Sequence, residues 1–401
     1  MSPEVQSNTP PPAGLRATGR GRFADPIFRW SVTVAACTVF VVLALMVLRT
    51  TQDAWPIFRS EGFFGFLLGD QWSSGTSRVE VTGEYGALPF IYGTLVTSAI
   101  AIALALPLAI LTALYITQLA PQRLRNTLSY TVEMLAAIPS VVFGLWGLWF
   151  FLPVFLRPLQ EFLSSHNHVA SFLVLLLVTA PFVAYLTRAL ARRVWSWSTH
   201  LRGRTPADGP GGVPLRALTL VVLAVYTGLL WLRVSDGMTL FHGQVYGFSY
   251  LSAGVVLAVM ILPIMTAIIR EVIAVHAVDH QHAAYAMGAT RHEVITRLIL
   301  PASFSGIVGA TMLGLGRALG ETIAVLMLVG GSQRAGDSLL FPGDTMAAHI
   351  AATFQDATQE AIWGLMAIGV ALFIVTMIVN IAARLLVWRV GRLAGKGAAA
   401  A

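Results

Sequence analysis

The sequence predicts an all-α polytopic membrane protein of about eight transmembrane helices, with both termini cytoplasmic. Three observations carry that prediction. Hydrophobic residues make up 56% of the 401 positions and charged residues 11%, with a mean hydropathy of +0.73. Apolar runs of spanning length recur at about 31–48, 91–117, 128–152, 169–187, 214–232, 251–269, 305–331 and 361–387. With the N-terminus inside, the cytoplasmic segments hold 19 of the 26 Lys and Arg residues, the opposite side six, and the membrane only Arg317. Such a bias sets orientation, because basic segments are retained inside.

Residues 1–25, rich in Pro, Gly and Arg, read as a disordered cytoplasmic tail. The uncharged run Ser31 to Leu48 has no small-residue cleavage site after it and reads as an uncleaved anchor. The single cysteine, Cys37, lies in that run, excludes an intrachain disulfide and reads as inert packing. Residues 26–160 form the first three spans, with a periplasmic loop at 50–88. The aromatics of that loop, Trp55, Phe58, Phe63, Phe64, Phe66 and Trp72, suit either the membrane interface or an external partner.

Prolines 107, 139 and 263 fall within the second, third and sixth spans. Each is either a packing kink or a place where carbonyls open toward neighbours or water. Residues 161–245 hold the fourth and fifth runs, separated by an Arg-rich, Pro/Gly-containing cytoplasmic loop from Ala189 to Pro214. Residues 246–390 carry the last three runs and a cytoplasmic loop at 270–302, and 391–401 is a second cytoplasmic tail.

The net charge of +7 comes from arginines spread over loops, which suits membrane orientation and not a nucleic-acid face. His276, His280 and His282 have helical spacing, but no carboxylate or cysteine completes a set, so no metal is expected. The tract Gly391 to Gly397 lacks the spacing and Ser/Thr of a phosphate loop and follows a membrane helix. No nucleophile–base pair suggests an enzyme.

Between Leu298 and Gln333 there are only two charges, Arg317 and Glu321. Four residues apart, they share one helix face, near enough to pair. An arginine at the centre of a membrane helix costs about 2.5–3.5 kcal/mol on insertion scales, so its presence points to function. Arg317 lies about 12 residues, roughly 18 Å, into its span and therefore near mid-membrane. Its planar guanidinium suits an oxyanion.

The loop ahead of that helix reads His282-Ala283-Ala284-Tyr285-Ala286-Met287-Gly288-Ala289-Thr290, with Leu300-Pro301 following. It resembles the EAA loop of ABC importer permeases. Small side chains let a short helix seat closely in a groove of another protein, and the glycine allows the turn after it. Gly314 to Thr322, Glu133 to Ser140 and Gly86 to Ser98 look like the phosphate ABC importer permease of the PstC type, over roughly 28–160 and 245–390.

The resemblance implies a MetI-like, type I importer permease core and a transport subunit with no cofactor of its own. It implies a homologous PstA-type permease, two ATPase subunits carrying ATP and Mg, a periplasmic phosphate-binding protein, phosphate as substrate and lipid around the bundle. Two departures stand out. His282 replaces the leading acid of the loop, and the family's six spans are joined by an extra pair at about 169–232. Two added spans preserve the orientation of everything downstream, and the pair reads as a lipid-facing hairpin.

Within this frame Glu321 neutralises Arg317 while the path is closed and competes with the ligand when it opens, since conduction requires release as well as binding. The alternative is a permanent pair that fixes helix register. Glu133, near the inner end of the third span, pairs with Arg317, with an arginine of the partner permease, or is a solvated boundary charge. Thr322 and Ser140 supply hydroxyl donors unless they bond to their own backbone. Gly316 and Gly320 form a small-xxx-small pair for packing within the chain or against the other permease. Other readings are a permease for molybdate or sulfate, the PstA-type partner itself, and an ion-coupled secondary transporter. For the last, Glu133 and Glu321 are a thin proton relay.

Overall fold

The computed structural model describes residues 21–74, 81–202, 212–237, 239–275 and 278–398. Of the disordered tail expected at 1–25, residues 1–20 lie outside the described residues, as does His276, while 21–25 are helical and begin the first helix. Helix α1 (Gly21–Ser60) runs well past the expected Leu48, and a short α2 (Phe63–Leu68) follows. Strand β1 (Trp72–Ser73) then pairs antiparallel with β2 (Glu84–Tyr85). The segment 50–88 is therefore only partly loop. Ala54, Ile57 and Phe66 are fully buried, and that burial extends the helix beyond its apolar run. Trp72 packs edge-on against Tyr85 and Phe90 at 5.0 and 5.2 Å, so this aromatic faces inward rather than to the interface.

Helix α3 (Leu88–Leu114) ends in a π turn, Tyr115–Leu119, before α4 (Gln122–Ala136). Pro139 caps α5 (Ser140–Trp146), which continues through a π turn, Gly147–Leu156, into α6 (Arg157–Ser165). The third span is thus Ser140–Ser165 and not 128–152. Proline lacks an N–H and pushes the residue before it out of the helical region, so the helix breaks at Pro139 instead of kinking there. Pro107 and Pro263 do sit inside helices.

Helix α7 (Asn167–Arg202) extends beyond the expected loop start at Ala189, and α8 (Gly212–Ser235) returns. Arginine is a good helix former, so the helix outlasts the apolar run. Then come α9 (Tyr250–Val275), α10 (Val278–Ala286), α11 (Arg291–Glu293) with a π turn at Val294–Ile299, and α12 (Leu300–Gly320). The chain closes with α13 (Ile323–Val329), α14 (Met346–Thr353) and α15 (Gln359–Ala398). Eight helices among the described residues are long and apolar enough to cross a membrane, as expected, although the seventh is Arg291–Gly320 and not 305–331.

Helix α9 is the hub, with 67% of its most apolar window buried, against 11% for α7 and 17% for α8. It packs on α3 through Ala101, Ala105, Ala109 and Ala113, one small residue per turn and all fully buried. In lipid there is little hydrophobic gain in burying leucine, so close van der Waals contact across small residues holds such a pair. Helices α7 and α8 pack chiefly on each other, with Phe172 edge-on to Trp231 at 5.1 Å and Tyr226 Oη donating to Thr179 Oγ1. Leu177 and Leu220 point outward, as a lipid-facing hairpin requires. Its outer ends are pinned by Asn167 Oδ1 and Ser171 Oγ, which accept from the N–H groups of Phe241 and Leu240 at 3.2 and 2.8 Å.

Candidate functional site

The depth of Arg317 follows from how α12 lies on α9. A Cβ built on Gly306 would fall 2.3 Å from Val272 Cγ1, and one on Gly314 would fall 2.7 Å from Met265 Sδ. Only glycine allows so close an approach. Continued by one turn, this antiparallel register puts Arg317 level with about residue 262, the middle of α9.

Helix α12 stops at Gly320, and Glu321 is extended with φ −70° and ψ 131°. Arg317 and Glu321 therefore do not share a helical face, which corrects the expectation of a pair four residues apart. Neither makes an ion pair or side-chain hydrogen bond with another described residue. Thr322 Oγ1 donates to Gly320 O at 3.2 Å, so this hydroxyl serves its own backbone and satisfies a helix-end carbonyl.

Arg317 stands on an open face. Leu313, Gly316, Arg317 and Gly320 are exposed, and a Cβ on Gly309, Gly316 or Gly320 would meet no atom within 4 Å. These positions lie along one side of the helix. Gly316 and Gly320 thus do not pack within this chain. The intrachain contacts belong to Gly306 and Gly314.

Two more interruptions fall at the same depth. A Cβ on Gly144 would lie 2.9 Å from Met327 Sδ, and one on Gly147 would lie 3.0 Å from Leu328 Cδ1 and 3.1 Å from Val256 Cγ2. Helices α5 and α13 thus run side by side toward the outer surface. Ser140, one turn before Gly144, is level with the break after Gly320, and Pro263, two turns along α9 from Val256, is level with Ser140. Irregular backbone inside a membrane is tolerated where it is buried in protein or lines a water-filled cavity. Broken helices at mid-membrane are also where transporters place substrate sites.

Glu133 lies on α4, ahead of the Pro139 break, and its Oε1 accepts from Arg270 Nη2 at 2.7 Å. Its partner is Arg270 and not Arg317, because the break leaves α4 beside the inner end of α9. The available signal was Arg270 itself, the basic residue at the end of the sixth apolar run.

The cytoplasmic loop is an ordered motif. His282, Ala283, Ala284 and Tyr285 lie on α10, which ends in a turn where Gly288 has φ +87°. Ala289 N donates to Ala284 O at 3.1 Å, closing the helix end. Thr290 caps α11 with Glu293 in a reciprocal capping box. The π turn follows and runs directly into Leu300-Pro301 at the start of α12. One run of helix thus connects the loop to Arg317. His282, Ala283 and Met287 are exposed.

At the outer end, sequence reasoning missed two satisfied carboxylates. Asp344 Oδ2 meets His349 Nδ1 at 2.8 Å, with both side chains buried beside Trp72 and Phe90. Glu360 is fully buried and accepts from the N–H groups of Thr82 and Gly83 at 2.6 and 2.7 Å. Thr345, a helix N-cap one residue after Asp344, was the local signal for the first.

Comparison with known proteins bears on this arrangement. Phosphate transport system permease protein PstC of Xylella fastidiosa (strain 9a5c) is 32% identical over 372 residues, covering 93% of each chain. The chain belongs to the PstC family of transport permeases. PstC of Haemophilus influenzae is 31% identical over 373 residues, 93% of this chain and 96% of the relative. PstC of Mesorhizobium japonicum is 32% identical over 394, 98% and 99%. The model of binding-protein-dependent transport system inner membrane components matches residues 212–392. Within this PstC-family chain that stretch carries the cytoplasmic loop, the whole of α12 and the Asp344–His349 pair. It identifies a multi-pass inner membrane component with a MetI-like core.

Proposed function

We propose that this chain is the membrane-spanning permease subunit of an ATP-driven importer that moves inorganic phosphate across the inner membrane. The observation that carries the reading is Arg317, a permanent cation at mid-membrane depth on a face that the rest of the chain leaves open. A homologous PstA-type permease covers that face, with Gly316 and Gly320 allowing close approach. The path for phosphate then runs between the two subunits past Arg317, Glu321 and Ser140, with Thr322 serving the helix break. The guanidinium offers the anion charge-assisted hydrogen bonds. Glu321, on the extended residue beside the break, limits how tightly the anion is held, because passage needs release.

Of two partner ATPases, which carry ATP with Mg, one docks on the exposed surface of His282, Ala283 and Met287. A periplasmic phosphate-binding protein delivers the substrate at the outer end. The continuous helix from Thr290 to Gly320 carries motion of the loop to Arg317. The Glu133–Arg270 pair holds α4 to α9 at the inner end.

Phosphate uptake by the assembled transporter tests this reading. Arg317→Ala, inserted at normal levels, is expected to abolish uptake, and normal uptake would remove Arg317 from the mechanism. The purified chain alone is expected neither to bind nor to hydrolyse ATP. Molybdate and sulfate are expected not to compete; competition by either would change the substrate.

A further inference from the structure

The outer end of the chain holds a short helix without a single polar side chain. Helix α2 reads Phe63-Phe64-Gly65-Phe66-Leu67-Leu68, hydrophobic all round yet far too short to span a membrane. So short a helix has no stability of its own, and an apolar one persists only where its sides are covered. Protein covers one side. Phe66 is 0% exposed, its ring meets Phe58 edge-on at 5.6 Å, and its carbonyl accepts from Ala87 N at 2.7 Å. Gly69 O accepts from Leu88 N at 3.1 Å, which ties α2 to the start of α3. The other side is bare: Phe64 is 74% exposed and Leu68 68%, one turn apart on the same face.

The height of this face follows from how α1 lies on α15. A Cβ on Gly369 would stand 3.5 Å from Thr50 Cγ2, and the two helices, as first and last of the eight spans, run in opposite directions. Trp55 is therefore level with about residue 364, and Phe58 with about residue 361. Both lie beside the outermost turns of the span Gln359–Leu385. Phe63 packs on Phe58 at 5.7 Å, so α2 sits at that same height, where hydrocarbon gives way to headgroups. Trp55 also continues the lipid-facing side of α1. Val41, Leu48 and Trp55 recur at every seventh position of one unbroken helix, and each is more than half exposed. The Arg59 guanidinium stands 5.6 Å from the centroid of the Trp55 ring, and Arg59 and Asp70 are exposed on either side of α2 in the sequence. Aromatic rings beside charged groups are what a membrane interface favours.

We propose that the bare face of α2, together with Trp55, is an interfacial anchor seated in the outer leaflet, covered by lipid at the acyl–headgroup boundary. Two observations favour lipid over a protein partner: the face continues the lipid-exposed side of α1, and it lies level with the start of an apolar span. A water-soluble partner docks above the headgroups. Insertion takes Phe64 and Leu68 out of water, and through Phe66 and Gly69 it holds the start of α3 at a fixed height in the bilayer. The anchor is independent of which substrate the chain carries.

The test places a nitroxide at Phe64→Cys, Leu68→Cys or Asp70→Cys, one at a time, in the Cys37→Ser chain of the assembled transporter in proteoliposomes. Each label at an apolar position leaves the other apolar side chain and the buried Phe66 in place. Collision with oxygen, which concentrates in lipid, is compared with collision with a nickel chelate confined to water. The labels at Phe64 and Leu68 are expected to favour oxygen several-fold more than the label at Asp70 does. A label at either apolar position that prefers the chelate as Asp70 does puts the face in water and overturns the proposal. Poor collision with both reagents puts the face against protein, in the second permease or an external subunit, and overturns it equally. A fluorophore at Leu68→Cys gives the depth. It is expected to be quenched more by lipid spin-labelled near the headgroup end of the acyl chain than near the methyl end, and the reverse order would bury α2 in hydrocarbon and overturn the interfacial assignment.

Discussion

At the outer end of the bundle the buried carboxylates have partners; halfway down, the charges have none within the described chain. Asp344 takes His349 Nδ1 at 2.8 Å and Thr345 N at 2.7 Å, and Glu360 gathers two N–H groups and the Thr82 hydroxyl. Arg317 faces an open side of α12, and neither it nor Glu321 beyond the helix end has a partner among the described residues. A charge that closes a local network contributes to folding and is costly to remove. An unpaired charge in the membrane is costly to keep, and its presence calls for a ligand or a second protein. The outer end thus acts as a rigid collar, and the α12 face is what that collar positions.

The largest effect is expected at the collar. Asp344→Ala strands His349 in a buried site and should cost about 3–5 kcal/mol, read as a fall in thermal stability and in the amount of inserted protein. Arg317→Ala should do the reverse. Stability is expected to hold while uptake falls by about 100-fold or more, in line with the loss of one or two charge-assisted hydrogen bonds. A large loss of stability in Arg317→Ala would make it a structural charge like Asp344.

Smaller effects divide the packed glycines of α12 from the open ones. Gly306→Ala drives a methyl to 2.3 Å from Val272 Cγ1 and is expected to cost about 1–3 kcal/mol in thermal unfolding. Gly316→Ala meets open space in this chain, so its unfolding should be unchanged while co-purification with the second permease weakens. Equal behaviour of the two variants would show that the open face is not an interface. At the far end of the scale, Leu177→Ala on the hairpin is expected to change stability by less than about 0.5 kcal/mol and leave uptake intact.

Much of this was legible in the sequence because span number, orientation and loop placement depend on run length and local charge, which add up along a chain. Gly288 was equally local, since a positive φ needs no distant partner. Residue counting assumed a span that starts near 305, whereas the helix starts at Arg291 and ends three residues after Arg317; the level of Arg317 with the middle of α9 is set by packing. The features that misled depend on context. The spacing of Arg317 and Glu321 suits a pair only if the helix continues, and it ends at Gly320. Pro139 fits a kink or a break equally well in sequence, and the break moved the third span outward and placed Glu133 beside Arg270. The choice between Gly306 with Gly314 and Gly316 with Gly320 was set by the face that α9 and α3 occupy, and periodicity alone does not specify it.

The open face of α12 is what most needs direct measurement. Cys37 is the single cysteine, so a Cys37→Ser background gives a chain with one reporter when Gly320→Cys is added. In the assembled transporter, the reporter should react with a membrane-impermeant anionic thiol reagent, and phosphate should slow that reaction several-fold. Inertness to the aqueous reagent together with ready modification by a lipid-soluble maleimide would place this face in lipid and contradict a phosphate path past Arg317.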